Sequence, residues 1–291
     1  MIQIHNLTFT YGPDPSPVLK DLNLCIDKGE HVAIIGPNGC GKTTLIRHFN
    51  ALLRPSSGEV LIDHLSTRDP RNLLEIRRRV GMIFQNPTNQ IVGMSVEEDV
   101  AFGPGNLGLP ADEIRHRVDE ALSKVGLSGF QTRSPHTLSG GQKQLLALAG
   151  LLAMAPQYIV MDEPTSSLDP VTNENVLALL QELKCQGLGI VQITHNMDEA
   201  ALADRVLVMN HGEIITDGKP ADILSRVDWI KSLGLAPPRI TELLWLLHHN
   251  GEDVRTNIIG LEGALEEIMR LLIQLRNPNQ LGVPGKADGH V

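Results

Sequence analysis

The most chemically specific residues of this 291-residue chain form the segment Gly36-Pro37-Asn38-Gly39-Cys40-Gly41-Lys42-Thr43, which fits the pattern G-x-x-x-x-G-K-[ST]. The apolar run His31–Ile35 predicts a buried strand before it, and Thr44–Leu53 predicts the helix after it. In such a loop, backbone N–H groups wrap a β-phosphate, Lys42 neutralises the β- and γ-phosphate oxygens, and the Thr43 hydroxyl ligates Mg²⁺. The segment therefore predicts a nucleotide site.

A pair of acids supplies the second piece of chemistry. They end the segment Tyr158-Ile159-Val160-Met161-Asp162-Glu163, whose apolar residues predict a short buried strand. Open α/β sheets bind ligands at the carboxyl ends of such strands. We predict that Asp162 holds the Mg²⁺ shell and that Glu163 polarises an attacking water as general base. The alternative, a solvated turn, is disfavoured by the phosphate loop upstream.

The third segment is Leu138-Ser139-Gly140-Gly141-Gln142, which opens the predicted helix Gln142–Met154. Paired glycines let the backbone approach a ligand closely, and a helix start offers unpaired N–H groups to an anion. Taken alone, the segment fits an ordinary serine N-cap with flexible glycines equally well. Because the other two segments accompany it, a second phosphate contact is the favoured interpretation.

In these residues the chain resembles the ABC ATPase family, from residue 1 to about residue 228. Gly36–Thr43 resembles its Walker A motif, Ile159–Glu163 its Walker B motif and Leu138–Gln142 its signature. Four further family elements are matched, namely the A-loop aromatic Tyr11, the Q-loop glutamine Gln85, the D-loop Ser167-Leu168-Asp169 and the H-loop histidine His195. One departure is Leu145, where transporters of this family commonly carry arginine.

The resemblance implies roles that the residues alone leave open. It implies that Tyr11 stacks on adenine and that His195 contacts the γ-phosphate and orients the catalytic water. Unaided, Tyr11 also fits an apolar core or edge residue, and a lone His195 is more often structural. The predicted catalytic residues are Glu163, His195 and Gln85, and the predicted metal ligands are Thr43, Gln85 and Asp162. The predicted nucleotide contacts are Tyr11, Gly36, Asn38, Gly39, Cys40, Gly41, Lys42, Thr43, Thr44, Ser139, Gly140, Gly141, Gln142 and Asp169.

Bulk properties restrict the partners and the compartment. The net charge is −9 with no basic run, so nucleic acid and anionic lipid surfaces are poor partners. No stretch approaches the ~20 apolar residues that cross a bilayer, and no signal peptide is expected. Cys25, Cys40 and Cys185 are scattered, which indicates reduced thiols in the cytoplasm. Cys40 is interpreted as a small filler residue, with a thiol of lowered pKa at the helix start as the alternative.

The elements that must position these residues follow from periodicity. Alternation in Ile2–Thr10 and Val18–Ile26 predicts antiparallel strands. Residues 86–155 predict a helical insertion, in which Ser95-Val96-Glu97-Glu98 forms a capping box. The predicted fold class is an α/β P-loop ABC ATPase with a RecA-like core, an antiparallel β subdomain and a helical subdomain, plus a small C-terminal helical extension. Later predicted elements are Tyr158–Met161, Val171–Cys185, Gly189–Thr194, Met197–Leu202 and a hairpin in Arg205–Thr216.

The chain is predicted to divide into an ABC ATPase domain (1–228), a C-terminal helical extension (229–276) and a disordered tail (277–291). Apolar residues at helical spacing predict two amphipathic helices in the extension. Their faces either pack on the same chain or form a dimer contact. The residues that define the faces are Ile240, Leu243, Leu244 and Leu247, then Leu261, Ala264, Leu265, Ile268, Leu272 and Leu275.

A narrower resemblance lies around Gln85. Phe84–Val92 and Val96–Pro104 resemble the ATPase subunits of energy-coupling-factor importers, which take up cobalt, nickel or vitamins. This implies a peripheral protein at the cytoplasmic face of the membrane. It would pair with a second copy or a close paralogue and dock on a transmembrane coupling subunit, while a separate membrane subunit binds the substrate.

The expected function is ATP hydrolysis that powers uptake of a vitamin or transition-metal ion through ATP-driven dimer closure. One chain would supply Walker A and B, and its partner would supply Ser139–Gln142. The alternative is an ABC module acting in DNA repair or translation. The acidic charge and the short segment between Lys42 and Ser139, which leaves no room for a long coiled coil, argue against it. A simple P-loop kinase would need neither the signature nor His195.

Overall fold

The computed structural model describes residues 1–12, 16–166 and 168–276 of the chain. Ser167 and the predicted tail 277–291 lie outside these ranges. The strands are β1 (Ile2–Phe9), β2 (Leu19–Ile26), β3 (His31–Ile35), β4 (Ser57–Ile62), β5 (Leu65–Ser66), β6 (Val80–Ile83), β7 (Tyr158–Asp162), β8 (Gly189–Ile193), β9 (Arg205–Asn210) and β10 (Glu213–Gly218). The α-helices are α1 (Lys42–Phe49), α2 (Leu73–Arg79), α3 (Val96–Asn106), α4 (Ala111–Lys124), α5 (Gly140–Ala153), α6 (Pro170–Cys185), α7 (Met197–Ala200), α8 (Pro220–Leu224), α9 (Val227–Ser232), α10 (Arg239–His249) and α11 (Leu261–Arg276).

A six-stranded sheet in the order β10-β9-β3-β8-β7-β6 forms the centre. Its strands are parallel except for β10, which pairs antiparallel with β9 at the edge. Every residue of β3, β7 and β8 is buried, as expected of parallel strands with both faces covered. Because parallel strands end at the same edge, the loops after β3, β7 and β8 converge there.

The predicted antiparallel subdomain is confirmed as a second sheet in the order β2-β1-β4-β5. Ile2 lies opposite Ile26 on one side and Ile62 on the other. All three side chains are fully buried and join one hydrophobic cluster with Val32 of β3 and Leu45 of α1. The second sheet and α1 therefore cover one face of the central sheet.

The predicted helical insertion consists of α3, α4 and α5. Its core residues Val100, Leu122 and Leu146 are fully buried and join a cluster with Ile83 and Ile159 of the central sheet. The predicted capping box is confirmed: Ser95 Oγ accepts from the Glu98 N–H at 3.3 Å, and a Glu98 carboxylate oxygen accepts from the Ser95 N–H at 3.2 Å. The insertion thus covers the face of the central sheet opposite to that covered by the antiparallel sheet and α1.

Both ends of α1 differ from prediction for local backbone reasons. Helix α1 begins at Lys42 rather than Thr44, directly after Gly41, which has a φ of 107°. It ends at Phe49 rather than Leu53, because Ala51 adopts a left-handed φ of 57°. A left-handed conformation at a non-glycine residue is not visible in the sequence pattern.

The C-terminal helices α10 and α11 pack together around a small cluster of Leu244, Val254, Ala264 and Leu271. Leu271 is buried although it lies outside the predicted faces, whereas several residues of the predicted faces are exposed in the single chain. Those exposed residues are Leu243, Leu261, Leu265 and Leu272. Glu267 joins α11 to the loop that precedes it: hydrogen bonds from Arg270 and from the Arg255 N–H hold the pKa of its carboxyl down at about 2. The exposed leucines give helix α11 a second apolar stripe that the described residues of its own chain leave uncovered.

None of the helices in the described ranges combines the length and the apolar composition needed to cross a membrane. Helix α9 runs through the expected domain boundary at residue 228. Its Ile230 packs with Leu235 and with residues of β3 and β9 in one cluster.

Candidate functional site

The loop from Gly36 to Thr43 joins β3 to α1 and is built around Lys42. The Lys42 ammonium donates to the carbonyl oxygens of Gly36, at 2.7 Å, and of Pro37, at 3.0 Å. It is only 6% exposed, and burial lowers its pKa. A side chain on Gly36 would collide with the Met209 carbonyl oxygen, so only glycine fits there. The loop is a close-fitting cradle with a cation at its centre.

Asp162 and Thr43 face each other across the end of the sheet. Asp162 is the last residue of β7 and is buried. Burial raises the pKa of its carboxyl, while a hydrogen bond from the Thr43 side chain lowers it. Thr43, Asp162 and Gln85 line one cavity of about 550 Å³, together with Arg47. The three predicted metal ligands are thus brought together.

Glu163 is the centre of the three predicted catalytic residues. Its Oε2 accepts from Gln85 Nε2 at 3.0 Å, and its Oε1 lies 3.0 Å from His195 Nε2. Its backbone is left-handed, with a φ of 52°, and its N–H donates to the Ile193 carbonyl oxygen of β8 at 3.0 Å. Left-handed non-glycine residues are uncommon and concentrate at functional sites. The loops after β6, β7 and β8 therefore meet at one carboxylate.

Six of the fourteen predicted nucleotide contacts and all three predicted catalytic residues line a second cavity of about 390 Å³. It connects the phosphate loop with the catalytic residues. The predicted residues that line it are Asn38, Gly39, Gly41, Lys42, Thr43, Thr44, Gln85, Glu163 and His195. This cavity has the lysine on one wall and the Glu163–His195 pair on the other, so it can hold a phosphate chain beside a general base.

Tyr11 lies beside this loop and is about half exposed. Its hydroxyl is 3.2 Å from the Thr44 hydroxyl, and its ring packs edge-on against Phe9 at 4.8 Å between centroids. An exposed aromatic ring anchored in this way is a suitable surface for a base to stack on.

Cys40 is buried inside the loop, where its carbonyl oxygen accepts from the Gly212 N–H at 3.0 Å. Burial raises the pKa of its thiol. The alternative of a lowered thiol pKa is therefore wrong, and the small-filler interpretation fits.

The signature residues and the D-loop residue Asp169 lie apart from both cavities. Ser139 caps α5 in a second capping box, accepting from the Gln142 N–H at 3.2 Å while Gln142 Oε1 accepts from the Ser139 N–H at 3.0 Å. Ser139 and Gly140 are exposed, and a side chain on Gly140 would meet nothing within 4 Å. Asp169 caps α6, with its carboxylate accepting from Thr172. Within a single chain, none of these residues lines the cavity that Lys42 lines.

Two groups near the site were missed from the sequence. Arg47 lines the cavity of the predicted metal ligands, and its position four residues after Thr43 on α1 is the signal that could have found it. Glu199 is buried behind His195, where it accepts a cluster of hydrogen bonds. No local pattern distinguishes Glu199 from an exposed helix acid.

Comparison with known proteins agrees with this geometry. A family model described as "ABC transporter" matches residues 19–166. The cobalt import ATP-binding protein CbiO of Syntrophus aciditrophicus is 54% identical to this chain, over 92% of this chain and 96% of that protein. The chain belongs to the ABC transporter family. The energy-coupling factor transporter ATP-binding protein EcfA1 of Caldanaerobacter subterraneus is 46% identical, over 93% of this chain and 99% of that protein.

Solved structures extend the likeness to the fold. The structure of cbiO1 from Clostridium perfringens, described as part of the ABC transporter complex cbiONQ, aligns with a TM-score of 0.72 and 38% identity, over 84% of this chain and 98% of that one. The ATP-binding cassette MJ0796, solved as a dimer bound to ADP and Pi, aligns with a TM-score of 0.69 and 34% identity, over 76% and 99%. Within the ABC family, this chain is thus an ATP-binding subunit of the energy-coupling-factor type, with ATPase activity coupled to transport. These relatives favour the transporter interpretation over a DNA-repair or translation module.

Proposed function

We propose that the chain binds MgATP in the cradle around Lys42 and hydrolyses it with Glu163 as general base. The observation that carries this proposal is the position of the Glu163 carboxylate. It lies 3.0 Å from both Gln85 and His195 and lines the same cavity as Lys42 and Thr43. A general base must be within hydrogen-bond reach of the water that it activates, and a base on the wall of the phosphate cavity meets that condition.

The residues around Asp162 fit a magnesium ion. Thr43, Gln85 and Asp162 offer hydroxyl, amide and carboxylate oxygens to one cavity, and Mg²⁺ prefers a few such oxygens together with phosphates and waters. When bound, Mg²⁺ would neutralise negative charge on the β- and γ-phosphate oxygens.

Three side chains must exchange partners for hydrolysis. Lys42 gives up the Gly36 and Pro37 carbonyl oxygens for phosphate oxygens. Gln85 releases Glu163 Oε2, which frees a lone pair for the proton of the attacking water. His195 then holds the carboxylate through Oε1 and lies next to the γ-phosphate. Catalysis is in this way largely positioning and charge stabilisation.

A second subunit completes the proposed site. The signature residues Ser139–Gln142 and the D-loop Asp169 line neither cavity within their own chain, so they are free to approach a nucleotide held by a partner. The dimeric cassette MJ0796 bound to ADP and Pi supports this arrangement. Either a second copy of this chain or a close paralogue would supply the contact.

The proposal that this chain is part of an importer rests on the proteins to which it is similar. We infer that this chain acts at the cytoplasmic face of the membrane, with a transmembrane coupling subunit and a membrane subunit that binds a vitamin or transition-metal ion. Support comes from the cobalt import protein and from cbiO1 as part of cbiONQ. Residues 1–228 would form the ATPase domain and residues 229–276 a C-terminal extension that contacts the second ATPase subunit.

The variant Glu163→Gln tests the function directly. It should retain ATP binding, because the cradle around Lys42 is intact, while hydrolysis falls by about 10²–10⁴-fold, the usual contribution of a general base. Since the ATP-bridged state would no longer decay, addition of ATP should raise the dimer fraction in gel filtration above that of the nucleotide-free variant. The exposed acid Glu182 on α6 provides a matched control, because Glu182→Gln should hydrolyse ATP like the parent. Parent-like turnover by Glu163→Gln would refute the assignment.

A further inference from the structure

A buried carboxylate without a role so far lies directly behind the catalytic loops. It belongs to Glu199, on the short helix α7 that follows His195. Glu199 is 4% exposed. A buried charge is costly unless hydrogen bonds satisfy it, so its partners indicate what it is there to hold.

Five side chains donate to this carboxylate within the described residues. Their donor atoms are Thr165 Oγ1 at 2.8 and 2.9 Å, Thr194 Oγ1 at 2.8 Å, Gln192 Nε2 at 2.9 Å, Asn173 Nδ2 at 3.3 Å and Asn196 Nδ2 at 3.3 Å. An ionised carboxylate only accepts, and its two oxygens have about four lone-pair sites, so this set saturates it.

The donors come from the segments that carry the proposed catalytic residues. Thr165 lies two residues after Glu163, on the loop that leaves β7. Thr194 and Asn196 are the two neighbours of His195 in the chain. One carboxylate therefore holds the Glu163 loop and the His195 loop at a fixed separation.

The third segment is the start of α6. Asn173 lies in the first turn of this helix, whose N-cap is the D-loop residue Asp169. The amide oxygens of Asn173 and Gln192 are buried and find no hydrogen-bond partner among the described residues. Both amides thus turn their NH₂ groups to Glu199 at the expense of their own oxygens, which indicates that satisfying the carboxylate determines their orientation.

We propose that Glu199 is a positioning residue for ATP hydrolysis, which fixes the Glu163 loop and the His195 loop relative to each other and to the start of α6. The inference rests on the proposed roles of Glu163 and His195. The distance it would control is the 3.0 Å between Glu163 Oε1 and His195 Nε2. A displacement of about 1 Å in a catalytic group can lower a rate on the order of 10²-fold.

The variant Glu199→Gln in the full-length protein tests this role. The amide keeps the volume but points an NH₂ group at donors, so the loops can no longer converge on one acceptor. We expect kcat to fall by about 10- to 100-fold, while the KM for ATP and the affinity for ATP stay within about twofold of the parent, because the cradle around Lys42 is untouched. Glu182→Gln on α6 is the carboxylate-to-amide control and should leave both constants unchanged.

Two further variants keep the test decisive if Glu199→Gln folds poorly. Thr194→Val removes one donor beside His195 with little change in volume, and it should lower kcat several-fold without raising the KM. The exchange Gln192→Glu with Glu199→Gln retains one carboxylate and one amide at the 2.9 Å contact, so it should recover part of the kcat lost by Glu199→Gln alone.

The outcomes separate this inference from the proposed function. If Glu163→Gln blocks hydrolysis but Glu199→Gln and Thr194→Val keep the parent kcat, Glu199 is a structural residue and the inference is overturned. The same conclusion follows if kcat and ATP affinity fall together with the melting temperature in every variant. If Glu163→Gln itself hydrolyses ATP at the parent rate, the proposed function is refuted, and the inference about Glu199 that rests on it is refuted as well.

Discussion

Lys42 illustrates how single residues prepare the site. Its ammonium is held by two carbonyl oxygens of its own loop, and that loop is curved by glycines where a side chain would not fit. The cation is therefore already positioned at the centre of the cradle, and phosphate oxygens can replace the carbonyl oxygens without rebuilding the backbone. Binding then requires little reorganisation of the protein.

The variant Lys42→Ala should lower the affinity for ATP by roughly 10²-fold, since truncating one partner of a buried charged pair costs at least about 2 kcal/mol. Calorimetric titration of ATP into the full-length protein measures this directly. Lys219→Ala, at an exposed lysine before α8, is the control and should bind like the parent. An unchanged affinity in Lys42→Ala would contradict the assignment of the phosphate loop.

At this scale the sequence predicts the residues of the site but not the contacts among them. The positions of Lys42 and Glu163 can be predicted because each follows a recognisable apolar strand, and the loop after such a strand lies at the carboxyl edge of the sheet. The hydrogen bond between Gln85 and Glu163 joins residues 78 positions apart. It forms because β6 and β7 are adjacent strands in the sheet. The five donors around Glu199 are likewise a product of tertiary packing.

At the scale of elements, the three acidic residues at the start of α3 have different roles: two shape the local structure, and one is available for docking. Glu98 completes the capping box, and Asp99 accepts from the N–H groups of Val92 and Gly93 at 2.7 and 2.8 Å. Both acids are thus occupied in shaping the turn after the Q-loop. Glu97 is exposed and has no such local role. It is the acid of this cluster that can pair with a basic residue of a coupling subunit.

Glu97→Lys should accordingly weaken docking to the membrane subunits and lower transport, while ATP hydrolysis by the isolated ATPase stays near the parent rate. Co-purification and uptake by the assembled importer measure the two effects. Asp112→Lys reverses an exposed acid in the first turn of α4 and should leave docking unchanged. If Glu97→Lys lost hydrolysis but docked normally, the α3 start would belong to the active site instead.

The core strands and the C-terminal helices form where the sequence predicts them, but the sequence pattern does not predict which face of α11 is covered. Strands β3 and β7 are short apolar runs bounded by turns, a pattern that predicts a buried strand. Helix α11 carries apolar residues on two stripes, one with Ala264 and Leu271 and one with Leu265 and Leu272. Periodicity shows that both stripes exist, but which of them is covered depends on how α10 packs.

At the scale of the whole molecule, the uncovered stripe of α11 is the surface that we assign to the second subunit. Its exposed residues are Leu261, Leu265, Met269, Leu272 and Ile273. Clustered apolar side chains of this kind mark interaction sites more often than isolated ones do. This contact would act independently of ATP, in contrast to the one made across the nucleotide.

Met269→Glu should therefore weaken association of the ATPase subunits without nucleotide, because it places a charge in the middle of the apolar stripe. Light scattering after gel filtration over a range of concentrations measures the monomer fraction. Met269→Leu keeps the stripe apolar and should associate like the parent. Equal monomer fractions for both variants would show that α11 does not carry the contact.

The position of β3 in the central sheet has a consequence for synthesis of the chain on the ribosome. The strand that leads into the phosphate loop is paired on one side with β8 and on the other with β9, through partners such as His31 with Ile190 and Val32 with Arg205. Both partners are translated long after β3 has left the ribosome. Such distant pairings make for slow folding. A nascent chain that ends before β8 should consequently fail to retain ATP, so capture on an ATP resin would mark the moment at which the core is complete.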